Sequence, residues 1–193
     1  MMRAFRILLL LPTVWLIGCA SAPPAPGCMP LGRAGHICLL PPAQLPAVDA
    51  THLVSIERDG HNRTFLGRLE INAQQLQLAG SSLFGTGLFT LRYDGHAISS
   101  QPDNPSLHAD TLVAMLELTL ADPDVLQSRL HGLTLKVSSR NHGEVRELFE
   151  GSHLITHIEK SGATPAQQHI SIAIPPIKLV VRMTPLAPSG TGP

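Results

Sequence analysis

Residues 65–95 read FLGRLEINAQQLQLAGSSLFGTGLFTLRYDG, and this stretch decides the fold class of the chain. Apolar side chains recur there at every second position, and most of the positions between them are polar. A period of two is typical of a β-strand with one buried and one solvated face. The apolar residues assigned to the buried face are Phe65, Leu69, Ile71, Leu76, Leu78, Phe89, Leu91 and Tyr93. The stretch therefore predicts three successive antiparallel strands.

The same pattern continues on both sides of this stretch. Asp59-Gly60 and Asp94-Gly95 predict tight hairpin turns, because aspartate-glycine pairs adopt the backbone angles that such turns require. Residues 52–58 alternate upstream, and the alternation returns over residues 133–183. The chain therefore contains about nine predicted strands.

Between residues 106 and 121 the apolar period changes to that of a helix. Leu112, Leu116 and Leu120 are spaced four residues apart, and Asp122-Pro123 predicts the capped start of a second, short helix. A sheet of about nine strands with one apolar face tends to curl, and helices inserted into it must pack on that face. The predicted fold class is α+β: a curved antiparallel β-sheet, or incomplete barrel, with a two-helix insertion covering its concave face.

Residues 1–18 have the organisation of a secretory signal peptide. Arg3 and Arg6 precede an apolar segment that is shorter than the roughly 20 residues needed to span a bilayer. The segment ends in Leu16-Ile17-Gly18-Cys19, which resembles the lipobox of bacterial lipoproteins. That resemblance implies acylation of Cys19 and membrane attachment through its acyl chains. Because no aspartate follows the cysteine, it also implies sorting to the periplasmic face of the outer membrane. An ordinary signal peptide or membrane anchor with a chance cysteine is the alternative.

The remaining chain divides into three predicted parts. Proline recurs over residues 19–48, which predicts a proline-rich tether with little secondary structure. Residues 49–186 form the predicted folded domain. Residues 187–193, rich in proline and glycine, form a predicted disordered tail.

Cys28 and Cys38 remain as a pair once Cys19 is acylated. An oxidising compartment permits a disulfide between them, and we favour that interpretation. Free thiols or metal ligands are the alternatives, but no neighbouring Cys-x-x-Cys motif or second cysteine–histidine cluster supports a zinc site. The sequence therefore predicts a disulfide and no metal site.

Charge and motifs argue against several classes of function. The chain has 14 basic and 14 acidic residues, and losing Arg3 and Arg6 with the signal peptide leaves 12 against 14, a net charge of −2. This balance provides no basic face for nucleic acid. The 10 histidines are scattered, no serine lies in a Gly-x-Ser-x-Gly setting, and residues 83–87 lack the lysine of a phosphate-binding loop. We expect no enzymatic activity, no cofactor and no nucleic-acid partner.

The order of strands and helices resembles the LolA/LolB family of lipoprotein carriers. A closer resemblance is to a family of uncharacterised outer-membrane lipoproteins encoded beside aryl-polyene and related fatty-acid-like synthesis genes. The motifs that carry it are FLGRLEI at residues 65–71, LQLAG at 76–80, LFG at 83–85 and LFTLRYDG at 88–95. The resemblance to LolA/LolB implies an incomplete β-barrel that is capped by helices and holds acyl chains in its cavity.

The leading hypothesis for function is therefore lipid binding at the outer membrane. The protein would hold a hydrophobic acyl or polyene-like lipid by apolar burial, as a carrier or receptor in lipid or aryl-polyene export or envelope assembly. The residues expected to line the cavity are Phe65, Leu69, Phe89, Leu91, Leu116, Leu135, Ile172 and Leu179. A filled core is the alternative for the same residues. The protein would then be an assembly lipoprotein that docks a partner of an export machine through an exposed sheet edge or loop.

Overall fold

The structure, a computed structural model, describes residues 27–102, 108–140 and 143–186. The predicted signal peptide, the predicted acylation site Cys19, the first part of the predicted tether and the predicted tail at 187–193 lie outside the described residues. Within the described residues, neither helix has the length and hydropathy of a membrane span.

Strands dominate the described part of the chain. The strands are β1 (Cys28–Pro30), β2 (His36–Cys38), β3 (Val48–Arg58), β4 (His61–Ile71), β5 (Leu76–Ser81), β6 (Gly87–Tyr93), β7 (Ile98–Gln101), β8 (Leu130–His131), β9 (Thr134–Arg140), β10 (Gly143–Glu150), β11 (His153–Ser161), β12 (His169–Ile174) and β13 (Leu179–Pro185). The α-helices are α1 (Ala109–Leu120) and α2 (Pro123–Gln127), and short 3-10 helices occupy Pro42–Gln44, Pro165–Gln167 and Pro175–Ile177.

Ten of these strands form one antiparallel sheet in the order β7-β6-β5-β4-β3-β13-β12-β11-β10-β9. Neighbours in the sheet are also neighbours in sequence except where β3 pairs with β13, its first strand with its last. The sheet is open, with β7 and β9 at its edges. The prediction of an antiparallel α+β fold with two helices is thereby confirmed.

The hairpin of β3 and β4 shows how the sequence sets the register. The two strands pair along their full lengths of 11 residues, and this register brings Ala50 opposite Leu69 on one face. Asp59 and Gly60 have φ angles of 49° and 78°, the left-handed backbone that a two-residue hairpin turn requires. The turn thus fixes which alternating residues face the core.

Helix α1 packs on the face of the sheet that carries the alternating apolar residues. Its residues from Val113 to Leu120 are all buried, as is typical of a helix surrounded by core. The core joins it to strands from both halves of the sheet, through Leu69 on β4 and Leu91 on β6 and through Ile172 on β12. The helix therefore closes this face.

The buried Arg146 and the partly buried Lys160 hold the C-terminal end of α1. Arg146 on β10 donates hydrogen bonds to the carbonyl oxygens of Leu118 and Ala121 at 2.9 and 2.7 Å, and Lys160 on β11 donates to a third carbonyl at 2.9 Å. Cations are favourable at this end of a helix because its last carbonyls are free and partly negative. Glu144 pairs with both cations. Although burial alone would raise the pKa of Glu144, hydrogen bonds from Arg146 and Lys160 lower it.

Residues 27–48 pack on the domain, which differs from the prediction of an extended tether over residues 19–48. β1 pairs with β2, β2 also pairs with β8, and a disulfide joins Cys28 to Cys38. The apolar side chains between the prolines are buried in the core that contains α1: Met29, Ile37, Leu40, Leu45 and Val48. Proline limits backbone pairing, but it does not prevent the side chains between prolines from being buried.

Candidate functional site

A groove runs across the face of the sheet that is turned away from α1. Successive side chains of a strand point to opposite faces, so the sequence neighbours of the core residues lie on this side. Strand pairing aligns Arg68 with Ala79 and Ala79 with Thr90, in a row that extends to Thr51 on β3 and Gln101 on β7. All five residues of this row line the groove.

The groove is open to solvent and is lined by both apolar and polar side chains. Its volume is about 600 Å³, within the range of roughly 300–1,000 Å³ that ligand sites occupy. Apolar walls come from Leu66, Leu88, Phe89 and Pro102, and small polar side chains lie between them.

Arg68 supplies a positive charge to the groove. It is the only charged side chain among the described residues that line it. Its guanidinium Nη2 lies 3.3 Å from Oδ1 of Asp49, and the side chains are 61% and 67% exposed. Exposed ion pairs contribute about 1 kcal/mol or less. The carboxylate or phosphate of a ligand can therefore replace Asp49 beside Arg68 at little cost.

Phe89 reaches the groove where the pairing of β5 and β6 is irregular. A register shift between Gly80 and Ser81 turns the end of this strand pair. The Phe89 ring contacts Phe65 edge to face, with centroids 5.9 Å apart, and it also lies over Gly80. A Cβ at position 80 would overlap the ring. Glycine therefore makes room for the aromatic wall.

The loop between β5 and β6 presents apolar side chains to solvent beside the groove. Ser82 Oγ accepts hydrogen bonds from the N–H groups of Phe84 and Thr86 at 3.3 and 3.1 Å. The Ser82 N–H donates to the Thr86 carbonyl at 2.8 Å and closes the turn. Phe84 is 97% exposed and Leu83 56% exposed as a result. Both side chains are therefore available for contact with another molecule.

The eight residues predicted to line a lipid cavity lie on the α1 side of the sheet or in α1 itself. Those buried in the core around the helix are Leu69, Leu91, Leu116 and Ile172. Those that are partly buried are Phe65, Phe89, Leu135 and Leu179. Phe89 belongs to the α1 side by alternation, but it lies beside the register shift at the end of the β5–β6 pair and also borders the groove, alone among the eight. On this face the packing corresponds to the filled-core alternative.

Sequence reasoning did not find the groove because its floor consists of residues on the solvated positions of each strand. Threonine, arginine and glutamine at those positions are ordinary for an exposed face. The available signal was Leu66 and Leu88, which are apolar at positions where the alternation predicts polar residues. Strand pairing brings these two apolar residues to the same groove. The pattern within a single strand does not show that they meet.

Glu117 of α1 is a fully buried carboxyl group that the groove does not include. Its Oε2 accepts a hydrogen bond from the Leu40 N–H at 3.0 Å, and its Oε1 has no partner among the described residues. Burial raises the pKa of Glu117 to about 8, and the Leu40 hydrogen bond opposes this rise. Burial, with Glu117 nearby, also raises the pKa of Tyr93 to about 12. The neutral acid is therefore favoured, and it ties the N-terminal segment to α1.

A cysteine–histidine cluster forms on the small sheet of β1, β2 and β8. His36, Cys38 and His131 place one ligand atom each within 4.8 Å of one another, and Cys38 is bonded to Cys28. Spacing along the chain did not indicate this cluster, because His131 comes from β8, which pairs with β2 only in the folded chain.

The fold and the groove define a class of protein: an antiparallel α+β domain with one face closed by a buried helix and the other face grooved. The chain belongs to the DUF3261 family, described as proteins of unknown function, whose family model matches residues 49–185. The prediction of an uncharacterised family is thereby confirmed. No curated protein matches the chain.

Proposed function

We propose that this protein is a lipoprotein of the bacterial envelope that binds a hydrophobic acyl or polyene-like lipid. It acts as a carrier or receptor in lipid or aryl-polyene export or in envelope assembly. The observation that carries this proposal is the groove of about 600 Å³, whose apolar walls adjoin the exposed Leu83-Phe84 turn. The sequence predicts a lipid on the side of the sheet that faces α1. We place it in the groove on the opposite side, because α1 already covers the first.

The chemistry of the groove favours a lipid with an anionic end. The apolar part of the chain is stabilised against Leu66, Leu88 and Phe89 by about 25 cal/mol for each Å² removed from water. The carboxylate or phosphate end pairs with Arg68, whose partner Asp49 is exposed and exchangeable. Fatty acids and polyene carboxylic acids combine both features.

The lipobox resemblance at Leu16-Ile17-Gly18-Cys19 supports anchoring at the periplasmic face of the outer membrane. Stable anchoring requires more than one acyl chain, which the modification of a lipoprotein cysteine supplies. The groove would then lie close to the membrane lipids that the protein receives or delivers.

The contacts of α1 support the proposed LolB-like curvature of the sheet. In a flat sheet, β7 and β10 would be eight strand spacings apart, or about 38 Å. Helix α1 has 12 residues and is about 18 Å long, yet it contacts β7 and accepts hydrogen bonds from Arg146 on β10. A sheet that bends around the helix brings both strands within its reach.

The role we propose is non-enzymatic. The carboxyl group with the largest rise in pKa, Glu117, is sealed in the core and does not line the groove. The groove itself offers one arginine and small hydroxyl and amide groups, which bind and orient a ligand.

Two matched substitutions test the lipid site. Leu88 and Ile177 are 46% and 45% exposed, and Leu88 alone lines the groove. We expect Leu88→Glu to weaken binding of a fluorescent fatty acid to the full chain about tenfold or more, because the carboxylate enters an apolar wall. Ile177→Glu should bind like the unmodified protein. Equal binding by both variants would place the lipid elsewhere or exclude it.

Arg68→Ala tests the anionic end separately. In this variant, palmitate should displace the fluorescent fatty acid less effectively than it does from the unmodified protein. Displacement by methyl palmitate should stay unchanged, because the ester has no charge for Arg68 to pair with. Equal loss for both competitors would contradict the proposed orientation of the lipid.

Docking of an export-machine protein is a second candidate, favoured by Phe84, which is 97% exposed on a turn closed by hydrogen bonds. A photo-crosslinking residue at position 84 should give one discrete crosslinked protein in cells, and the same residue at position 177 should give none. Crosslinking to lipid alone at position 84 would leave lipid binding as the single function.

A further inference from the structure

We propose that Cys28, His36, Cys38 and His131 form a divalent transition-metal site that opens when the Cys28–Cys38 disulfide is reduced. The metal is one that accepts two thiolates and two imidazoles, with Zn²⁺ as the type case. This site lies on the sheet of β1, β2 and β8 and is independent of the groove and of lipid binding.

The register of the small sheet places all four side chains on one face. Cys28 is the pairing partner of Cys38, and His36 is the partner of His131. His36 and Cys38 are two residues apart on β2, so their side chains point the same way. Directly opposed residues share a face, and the four donors are therefore neighbours.

Three of the four ligand atoms are already close to the spacing of a tetrahedral site. Bond lengths of about 2.3 Å to sulfur and 2.0–2.1 Å to nitrogen put neighbouring ligand atoms about 3.4–3.8 Å apart. The ligand atoms of His36, Cys38 and His131 already lie within 4.8 Å of one another. The Cys28 sulfur is bonded directly to that of Cys38. Cys28 is not within that group of three, so the site closes when reduction of the disulfide frees the Cys28 side chain to rotate toward the other three ligands.

The two imidazoles are preassembled for this role. Their rings stack with centroids 4.6 Å apart and planes 13° from parallel. The strand below them is held by the Cys38 N–H, which donates to the Arg129 carbonyl at 3.0 Å. Cys28, His36 and Cys38 are partly buried and His131 is exposed, so both a reductant and a metal ion have access.

The chemistry balances with a dithiol reductant. Thiol–disulfide exchange transfers two electrons and two protons to the Cys28–Cys38 bond, and the reductant becomes a disulfide. The metal ion then binds both thiolates and releases their two protons to solvent. The oxidised bond joins β1 to β2, whereas the metal also joins β8 through His131. Metal binding therefore fastens the N-terminal segment to the chain that follows α2.

Cobalt binding tests the site through its spectrum. The full chain carries Cys19→Ser, so that Cys28 and Cys38 are its remaining cysteines. After treatment with a dithiol, we expect one Co²⁺ per chain with a sulfur-to-cobalt charge-transfer band, and Zn²⁺ should displace it. The oxidised protein should show no such band. A reduced protein with a native circular dichroism spectrum and no band would overturn the proposal.

Histidine variants separate the four-ligand site from a simple pair of thiols. His36→Ala and His131→Ala keep the disulfide, so folding can be verified before reduction. Loss of a residue that only supports a metal ligand weakens metal binding by roughly 10- to 100-fold. Each of these variants loses a ligand itself, so its Zn²⁺ affinity should fall by at least that factor. His61→Ala, an exposed histidine on β4, is the matched control and should bind like the parent. Unchanged affinity in His36→Ala or His131→Ala would overturn the assignment.

Discussion

Strands β3 to β6 form one part of the large sheet, and the two faces of this part differ in what covers them. On one face, Leu69 and Leu91 are packed against α1 in a closed core. On the other face, Arg68 and Thr90 line an open groove. Arg68 directly precedes Leu69 and Thr90 directly precedes Leu91, so the same strands build the structural side and the candidate functional side. Substitutions of neighbouring residues should therefore have opposite kinds of effect.

Adjacent substitutions on β6 should give the largest contrast. Leu91→Asp places a charge where the side chain has no exposed surface, and we expect the domain to unfold or to lose about 5 kcal/mol or more. Thr90→Asp, on the groove face, should change the free energy of unfolding by about 1 kcal/mol or less. Urea denaturation followed by circular dichroism measures both. Similar losses would mean that the two faces are wrongly assigned.

Removal of the arginine that holds α1 should have the next largest effect. The Arg146 side chain is 3% exposed, and Arg146→Ala leaves two carbonyl oxygens and Glu144 without that partner. We expect a loss of about 3–5 kcal/mol in the free energy of unfolding. Arg182→Ala is the control, because its ion pair with Glu57 is exposed and is worth about 1 kcal/mol or less. A loss below 1 kcal/mol for Arg146→Ala would show that α1 is held by apolar packing alone.

Glu117 should make the stability of the domain depend on pH. Its pKa is about 8 in the folded protein and about 4.5 when unfolded, so the folded state prefers the neutral acid. The contribution of Glu117 to the free energy of unfolding is fully present below pH 4.5 and is lost as the pH rises through 8. By linkage, the free energy of unfolding should fall by roughly 2 kcal/mol between pH 6.5 and 8.5.

Glu117→Gln is the control for this pH dependence. The amide keeps an oxygen for the Leu40 N–H and does not ionise, so the fall above pH 6.5 should disappear in this variant. An unchanged pH profile would show that Glu117 is not the responsible group.

Two glycines of neighbouring strands should show the smallest contrast. Gly80→Ala places a Cβ against the Phe89 ring, and we expect a loss of about 1–3 kcal/mol together with weaker lipid binding. A Cβ at Gly87, by contrast, meets no atom within 4 Å. Gly87→Ala should therefore leave the free energy of unfolding within about 1 kcal/mol of the parent value. Thermal melting of both variants gives the comparison, and equal melting temperatures would contradict the packing at Phe89.

The sequence predicted the elements of this fold well, because alternation and turn residues are local signals. The Asp59-Gly60 turn and the Asp122 cap lie where those residues require them. Long-range packing was not visible in the same way. Met29, Ile37 and Leu40 are buried although prolines surround them, because α1 and the sheet supply the surface that covers them.

The candidate site was harder to predict than the fold for a physical reason. Alternation identifies the face that is buried, and this is why seven of the eight predicted lining residues lie in or beside the core and away from the groove. The groove depends on Leu66, Ser81 and Leu88 meeting across three strands. The cluster of His36 and His131 likewise depends on the pairing of β2 with β8.

Native mass spectrometry of the full chain, purified from membranes and combined with lipid extraction, tests the central claim most directly. Lipid binding in the groove predicts one acyl or polyene species per chain, lost in Leu88→Glu and retained in Ile177→Glu. A protein that carries no lipid, and that stays empty when fatty acids are offered, would contradict this account.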